Sequence, residues 1–251
     1  MALTDWMAAT RNLALPIFCK LCDRRLLTED NGFFCPECWE RSPRIERPFC
    51  SMCGRPHRGA AGFGFQTNFP CAECRAKKSP AVRRVFGAAS YDGAIAEAIK
   101  LFKFHDKPRL ARPLAALMEE FAAREVDCPS YALLVPVPLH PVRERERGFN
   151  QSRLLAQAIQ QCFPNAQLDE SLRRIRPTRV QSRLTGERER RSNIAGAFAV
   201  MGDDLNGKTV LLIDDVVTTG GTVEECAKAL LRAKAGAVDV MAVALAGYAS
   251  G

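Results

Sequence analysis

The 251-residue chain predicts an α/β domain built on a mostly parallel sheet and preceded by a small cysteine-rich region. Three observations carry that reading. Four C-x-x-C pairs crowd the first 80 residues; apolar runs suited to buried strands alternate with helix-period segments beyond them; and one such run, Val210 to Ile213, delivers two adjacent aspartates into a loop of threonine and glycine. A composition that is 47% hydrophobic is enough to build a real core and excludes a chain disordered throughout.

Leu3, Trp6, Met7, Thr10, Leu13 and Ala14 fall at helical spacing before Pro16, which predicts a short amphipathic helix packed on the neighbouring cysteine-rich region. No uncharged apolar run reaches 18 residues, and Met1 to Phe18 carries Asp5 and Arg11 without a basic start or a cleavage site. No transmembrane segment and a cytoplasmic location are expected.

The cysteine pairs are Cys19/Cys22, Cys35/Cys38, Cys50/Cys53 and Cys71/Cys74; the other three of the eleven cysteines, Cys128, Cys162 and Cys226, are unpaired in sequence. Two intervening residues let both sulfurs point to one side of a tight turn, half of a tetrahedral site that a second turn completes. The 12 residues from Cys22 to Cys35 and the 17 from Cys53 to Cys71 suit a hairpin returning each second pair to its first. Two structural zinc ions in two successive ribbons are the natural reading, with an interleaved pairing, first with third and second with fourth, as the alternative. Disulfides would need an oxidising compartment, and four thiolates leave no open position for a catalytic water. His57, His105 and His140 have no partner at ligand spacing.

After Lys77, Lys78, Ser79 and Pro80 the composition shifts, which places a boundary near residue 80 and divides the chain into 1–80 and 81–251, each expected to have its own core. Val85 to Tyr91 reads as a strand, Ala94 to Phe104 as a helix entered through Asp92 and Gly93, and Pro108 to Arg124 as a helix with proline in its first turn. Leu133 to Val137 is a strand, and Gln151 to Cys162 a helix that Asn150 can cap. Val210 to Ile213 and Val238 to Ala246 suit buried parallel strands around a helix at Thr222 to Ala235. In such a sheet the ligand crevice lies beyond the carboxyl ends of the strands.

The segment Val210-Leu-Leu-Ile-Asp-Asp-Val-Val-Thr-Thr-Gly-Gly-Thr222 is the most informative. Gly220 and Gly221 let backbone N–H groups approach an anion, the hydroxyls of Thr218, Thr219 and Thr222 can donate to it, and the next helix presents its positive end. Asp214 and Asp215, one step upstream, suit the hydroxyls of a sugar. A sugar phosphate satisfies both halves, and this segment has neither the G-K-[ST] of a P-loop nor a G-x-G-x-x-G.

This segment resembles the type I phosphoribosyltransferase signature, which binds the ribose and 5-phosphate of phosphoribosyl pyrophosphate (PRPP). With the four C-x-x-C pairs ahead of it, Val135-Pro-Val-Pro-Leu-His-Pro with Arg147-Gly-Phe-Asn-Gln151, Thr178-Arg-Val-Gln181 with Arg188, Arg191 and Asn193, and Ala197-Phe198, the chain resembles the ComF (ComFC) competence family over nearly its whole length. The resemblance implies a double zinc ribbon followed by a type I phosphoribosyltransferase-like domain, PRPP or a related ribose 5-phosphate as ligand, Mg²⁺ bound with it, and a role in uptake of single-stranded DNA with a competence helicase or DNA channel protein as candidate partner. It places the pyrophosphate loop at Arg143, Arg145 and Arg147, which would carry the catalytic charge. One departure is visible: purine-specific members of the wider superfamily have an aspartate four residues after the first acid, where this chain has Thr218.

The net charge of +8 divides equally, +4 for residues 1–80 and +4 for 81–251. Two zinc ions on eight thiolates would cancel the first share, leaving the basic character in the second. There Ser171 to Asn193 holds eight arginines, among them Arg173, Arg174, Arg176 and Arg179, against two glutamates. This span stands where a mobile loop would close the site or contact single-stranded DNA; a solvated charged loop is the alternative. A DNA-uptake factor, a transferase of nucleotide salvage and a ribbon scaffold regulated by PRPP are the three functions the sequence leaves open.

Overall fold

A computed structural model describes residues 16–26, 33–57, 67–77, 79–104, 107–176 and 194–247. The expected N-terminal helix lies outside them, as do Thr178 to Asn193.

A five-stranded parallel sheet forms the centre, in the order β3 (Arg84–Ser90), β9 (Ala237–Leu245), β8 (Thr209–Val217), β4 (Leu133–Pro136), β5 (Gln167–Leu168). Eight of the nine β9 residues are buried, as an apolar strand covered on both faces requires. Helices α4 (Ala111–Glu125) and α6 (Gln151–Ile159) pack on one another, α4 also on β3 and β9 and α6 on β4 and β8. Helix α7 (Gly221–Arg232) packs on β8, β9 and the antiparallel hairpin of β6 (Leu172–Arg174) and β7 (Phe198–Val200). Helix α3 (Gly93–Phe104) comes after β3, and α5 (Pro141–Arg147) after β4. Asn150 caps α6, its Oδ1 accepting from the Ser152 N–H at 3.0 Å.

Two differences from the sequence expectation matter for the site. Strand β8 runs through the acidic pair to Val217 instead of ending at Ile213. Residues 141–147, expected as a loop, form α5, with His140 Nδ1 accepting from the Val142 N–H at 3.3 Å, Pro141 in the first turn and Gly148 closing it at φ +73°.

The cysteine region is organised by short hairpins and two five-residue helices, α1 (Pro36–Glu40) and α2 (Ala72–Ala76), with β1 (Ile17–Phe18) pairing β2 (Arg25–Leu26). Its core is not separate. Leu26, Phe34, Ile45 and Phe49 belong to the same buried cluster as Phe86, Phe121 and the sheet. Phe49 and Phe86 both meet the Phe121 ring, at 5.7 and 6.3 Å.

The junction is also made of backbone. Ile45 N donates to Ala88 O at 3.0 Å, Ser90 N to Pro43 O at 2.9 Å and Val85 N to Met52 O at 2.8 Å. Residues 43–45 therefore run antiparallel along the outer edge of β3 and satisfy hydrogen-bonding groups that an edge strand would leave open. Gly54 is packed so closely that a side chain would meet Val85 O at 2.5 Å. We keep 1–80 and 81–251 as proposed units, joined by an interface rather than a free linker.

Candidate functional site

The eight paired cysteines converge as two clusters, Cys19/Cys22/Cys35/Cys38 and Cys50/Cys53/Cys71/Cys74, with the sulfurs of each within 4.8 Å of one another. This is the successive pairing, and the interleaved alternative falls away. Tetrahedral zinc with Zn–S bonds of about 2.3 Å requires sulfurs about 3.8 Å apart. Cys22 Sγ and Cys35 Sγ are 3.7 Å apart, and Cys53 Sγ and Cys71 Sγ 3.9 Å. Backbone N–H groups of Cys53 and Cys71 point at Cys50 Sγ at 3.4 and 3.2 Å.

Burial works to raise the Cys19 and Cys50 thiols, but the N–H groups around them outweigh it and bring them down to about 6 and about 7. Cys38 and Cys53 are pushed up, by burial and by the neighbouring sulfurs. Four thiolates can coexist in such a cluster only around a cation, so the donor set fits structural zinc.

At the carboxyl ends of the strands lies a cavity of about 340 Å³. The chain from Asp214 to Val223 forms one wall, and Lys103, Arg143, Arg147 and Arg174 bring four cations to face two carboxylates. Because β8 stays extended through the acidic pair, consecutive side chains diverge. Asp214 Oδ1 accepts from Ser152 Oγ of α6 at 3.2 Å and from the Asp215 N–H at 2.9 Å. Asp215 Oδ1 lies 2.7 Å from Lys103 Nζ of α3.

Burial first, and then the charge of Asp215, raise Asp214 from its ordinary 3.8 to about 7. Burial works against the Lys103 charge, but Asp215 and Asp214 together raise that lysine above its ordinary value. The site is therefore charged, and a ligand that brings counter-charge would change its protonation.

The Thr218 to Gly221 loop enters α7 through Gly220, at φ +79°, a conformation that glycine adopts without strain. Two acids stand in the first turns of α7, where they would compete with an anion, yet both are engaged elsewhere. Glu224 accepts from Ala81 N at 2.9 Å, and Glu225 accepts from Gly196 N at 2.9 Å and pairs with Lys228 at 2.7 Å. Gly220 to Val223, the start of α7, line the cavity, and a helix N-terminus favours a phosphate.

Of the three arginines expected to work together, the structure brings two. Residues four apart share a helix face, so Arg143 and Arg147 line the cavity while Arg145 is exposed and outside the lining. Burial lowers Arg147, and Arg143 adds to the lowering; the same two causes act on Arg174. Asp215 opposes the lowering at Arg147, so the cavity sets these cations near one another and near a carboxylate. Lys103, Arg174 as a cavity residue, Ser152, Tyr91 and Phe104 were not singled out by sequence reasoning, because only tertiary packing assembles them, and Gln151 was quoted only as part of the resemblance, with no role at the site.

This geometry defines a phosphoribosyltransferase-type domain carrying a double zinc ribbon. Family models agree: residues 10–75 match the double zinc ribbon domain and residues 153–248 the phosphoribosyl transferase domain. Over 231 residues the chain is 33% identical to DNA utilization protein YhgH of Salmonella typhi, covering 91% of this chain and 96% of that one. It is 28% identical to competence protein F of Haemophilus influenzae (91% and 96% covered) and 27% identical to competence protein ComFC of Bacillus subtilis (89% and 92%). The chain belongs to the ComF (ComFC) family.

Proposed function

We propose that this protein binds PRPP with Mg²⁺ in the cavity and acts on single-stranded DNA during its uptake. The observation that carries the first half is the convergence on one 340 Å³ cavity of a helix-start phosphate loop, two adjacent carboxylates and four cations. In this reading Thr218 to Thr222 take the 5-phosphate, Asp214 and Asp215 the ribose hydroxyls, and Lys103, Arg143, Arg147 and Arg174 face the diphosphate. The carboxylates and the ligand's own oxygens form the hard donor set that Mg²⁺ takes; the bound ion would neutralise diphosphate charge.

Transfer of the ribosyl group breaks the bond between the anomeric carbon and the diphosphate oxygen, leaving negative charge on the departing group. Fixed guanidiniums oppose that charge as it grows and need no reorganisation. The position four after Asp214 is Thr218, so the acceptor has no carboxylate base there and must supply its own activation. Transferase chemistry with an acceptor of that kind is the enzymatic form of this reading, and Arg143 and Arg147 are its charge-stabilising residues.

Support for the DNA role comes from relatives named for competence and DNA utilization, and from the arginines of 171–193, most of which lie outside the described residues. Arg174 belongs to the cavity, whereas Arg173 and Arg176 are exposed. We place the protein in the cytoplasm, where thiolates stay reduced; among the described residues no helix is long and apolar enough to cross a membrane.

Calorimetric titration with PRPP and Mg²⁺ tests the cavity, and absence of binding to the folded, zinc-loaded chain ends the PRPP reading. Replacing Arg173, Arg176 and Arg179 together, with Arg174 spared, should flatten the dependence of oligonucleotide affinity on salt, since each phosphate contact releases about 0.7 counterion. An unchanged slope removes this segment from the DNA site.

A further inference from the structure

The second ribbon carries an aromatic ledge that belongs neither to its cysteine cluster nor to the cavity of the phosphate loop. His57 and Phe69 stack with ring centroids 3.9 Å apart and planes within 8° of parallel. Packed aromatic pairs usually meet offset or edge-on, as Phe49 and Phe86 meet Phe121 at 39° and 56°. Here one carbonyl holds the parallel form: Phe69 O accepts from His57 Nε2 at 2.9 Å and from Ser51 N at 3.2 Å. Phe69 nevertheless remains 43% exposed. Since His57 covers one face of its ring, that exposure falls on the other face and the edge, which form a flat apolar surface open to solvent.

The hairpin that holds His57 also borders a second cavity. Cys50 N donates to Arg55 O at 2.7 Å across this hairpin, and its Met52 and Arg55 line a space of about 400 Å³ between the second ribbon and α7. That volume is in the range of ligand-binding clefts. Val82, Val85 and Val223 contribute apolar walls, and Val217 to Gly221 line both this cavity and the first, so the phosphate loop is a wall common to the two. Most of the charge here is already matched: Arg55 pairs with Glu73 at 2.8 Å and Lys228 with Glu225, while Glu224 is held by the backbone of residues 81 and 82. Lys77, exposed and also in the lining, is in no ion pair among the described residues. A flat ring face, an apolar cleft and an available cation are the parts from which single-strand sites are built.

Resting on the single-strand reading above, we infer that the second ribbon is a contact site for single-stranded DNA: a base stacks on the open face of Phe69, the neighbouring nucleotide enters the 400 Å³ cavity, and Lys77 meets a phosphate. This contact is separate from the arginines of 171–193 and holds the strand by stacking more than by charge. It lies across the phosphate loop from the sugar-phosphate site, so strand and sugar phosphate do not compete.

The test titrates a fluorescein-labelled thymidine dodecamer into the zinc-loaded full chain and reads anisotropy. Phe69→Ala should weaken binding about tenfold, within the range lost with one stacked base. Phe69→Leu, which keeps an apolar side chain over His57 without a ring, should weaken it similarly, and Phe69→Trp should preserve it. Lys77→Ala should reduce the slope of log affinity against log salt by about 0.7, the share of one phosphate contact. Saturating ribose 5-phosphate should leave the dodecamer bound. Irradiation of a dodecamer containing 5-iododeoxyuridine should cross-link a peptide that holds His57 or Phe69. Full affinity in Phe69→Ala and Phe69→Leu, displacement by ribose 5-phosphate, or cross-links confined to 171–193 overturns the ledge and leaves the single-strand reading standing. Failure of the dodecamer to bind the wild type overturns that reading and the ledge with it.

Discussion

Two aspartates on neighbouring strands, Asp239 buried and Asp214 half-buried, stand at opposite ends of the sheet and are held in opposite ways. Asp239, near the start of β9, receives two bonds from Arg83 at 2.9 and 2.7 Å, two from Arg84 at 3.2 and 2.9 Å and one from the Tyr131 hydroxyl at 2.6 Å. Burial works to raise it, but these bonds outweigh burial and hold it below its ordinary range. Asp214, at the other end, has one serine hydroxyl and one neighbouring N–H, shares a lysine with Asp215, and is raised to about 7. A carboxylate that has all its partners from the chain serves the fold. One left short of partners beside a cavity is kept for something that arrives later.

The largest expected effect tests the structural end. Asp239→Ala should lower the free energy of unfolding by about 2–3 kcal/mol, less than for a wholly buried pair because the two arginines can turn to water; their side chains are 48% and 39% exposed. Denaturant titration of the zinc-loaded chain measures it. A loss under about 1 kcal/mol would mean that the cluster rehydrates freely and the comparison has no structural pole.

Asp214→Asn should do the reverse. PRPP affinity should fall roughly tenfold to a hundredfold, the range of one hydrogen bond to a charged group, while the unliganded protein becomes no less stable. The pH dependence is set by the sign of each shift. As pH rises from about 4 to about 7 the unfolded chain ionises Asp214 before the folded chain does, so this residue subtracts stability across that window. Asp239, lowered in the fold, contributes stability above the ordinary carboxylate range and loses it as pH falls. Melting of wild type and Asp214→Asn at pH 5 and pH 8 should show the mutant gaining on the wild type at the higher pH. A mutant as weakened as Asp239→Ala at both would erase the distinction.

Lys103→Met removes the cation shared by the two site carboxylates and should weaken PRPP binding about tenfold. The titration should also shift, with the Asp214 proton held to higher pH and binding rising more steeply from pH 6 to pH 8. Ser152→Ala, which deletes one bond at 3.2 Å, should have the smallest effect, about fivefold or less on affinity with stability within about 1 kcal/mol. A larger loss of affinity from the serine than from the lysine would invert the electrostatic account.

What the sequence made legible was whatever is contiguous. Asp214 to Thr222 and the cysteine pairs carry their chemistry within a few residues, and the spacings of 12 and 17 already favoured the pairing found. The end of β8 was set too early because an apolar pattern stops at charge, whereas the strand continues through the acids. The helical placement of Arg143 and Arg147 had a signal in Pro141 and Gly148, an N-terminal proline with a closing glycine. Lys103 had none, since nothing local says that the end of α3 reaches β8. The clustering of Arg83, Arg84, Tyr131 and Asp239, and the shared core of the two regions, are likewise products of long-range packing.

The segment 43–45 that lines β3 is synthesised before the strand it covers. Chains leave the ribosome from the N-terminus at about 5–20 residues per second, so the first metal cluster and the strip beside it exist while most of the sheet is still unmade. The sheet then assembles against a waiting border. A cell short of zinc would produce more than a protein lacking a module: it would release sheets with an open flank, prone to pair with one another. Metal supply would thereby bear on the maturation of the whole chain, including a cavity that contains no zinc ligand.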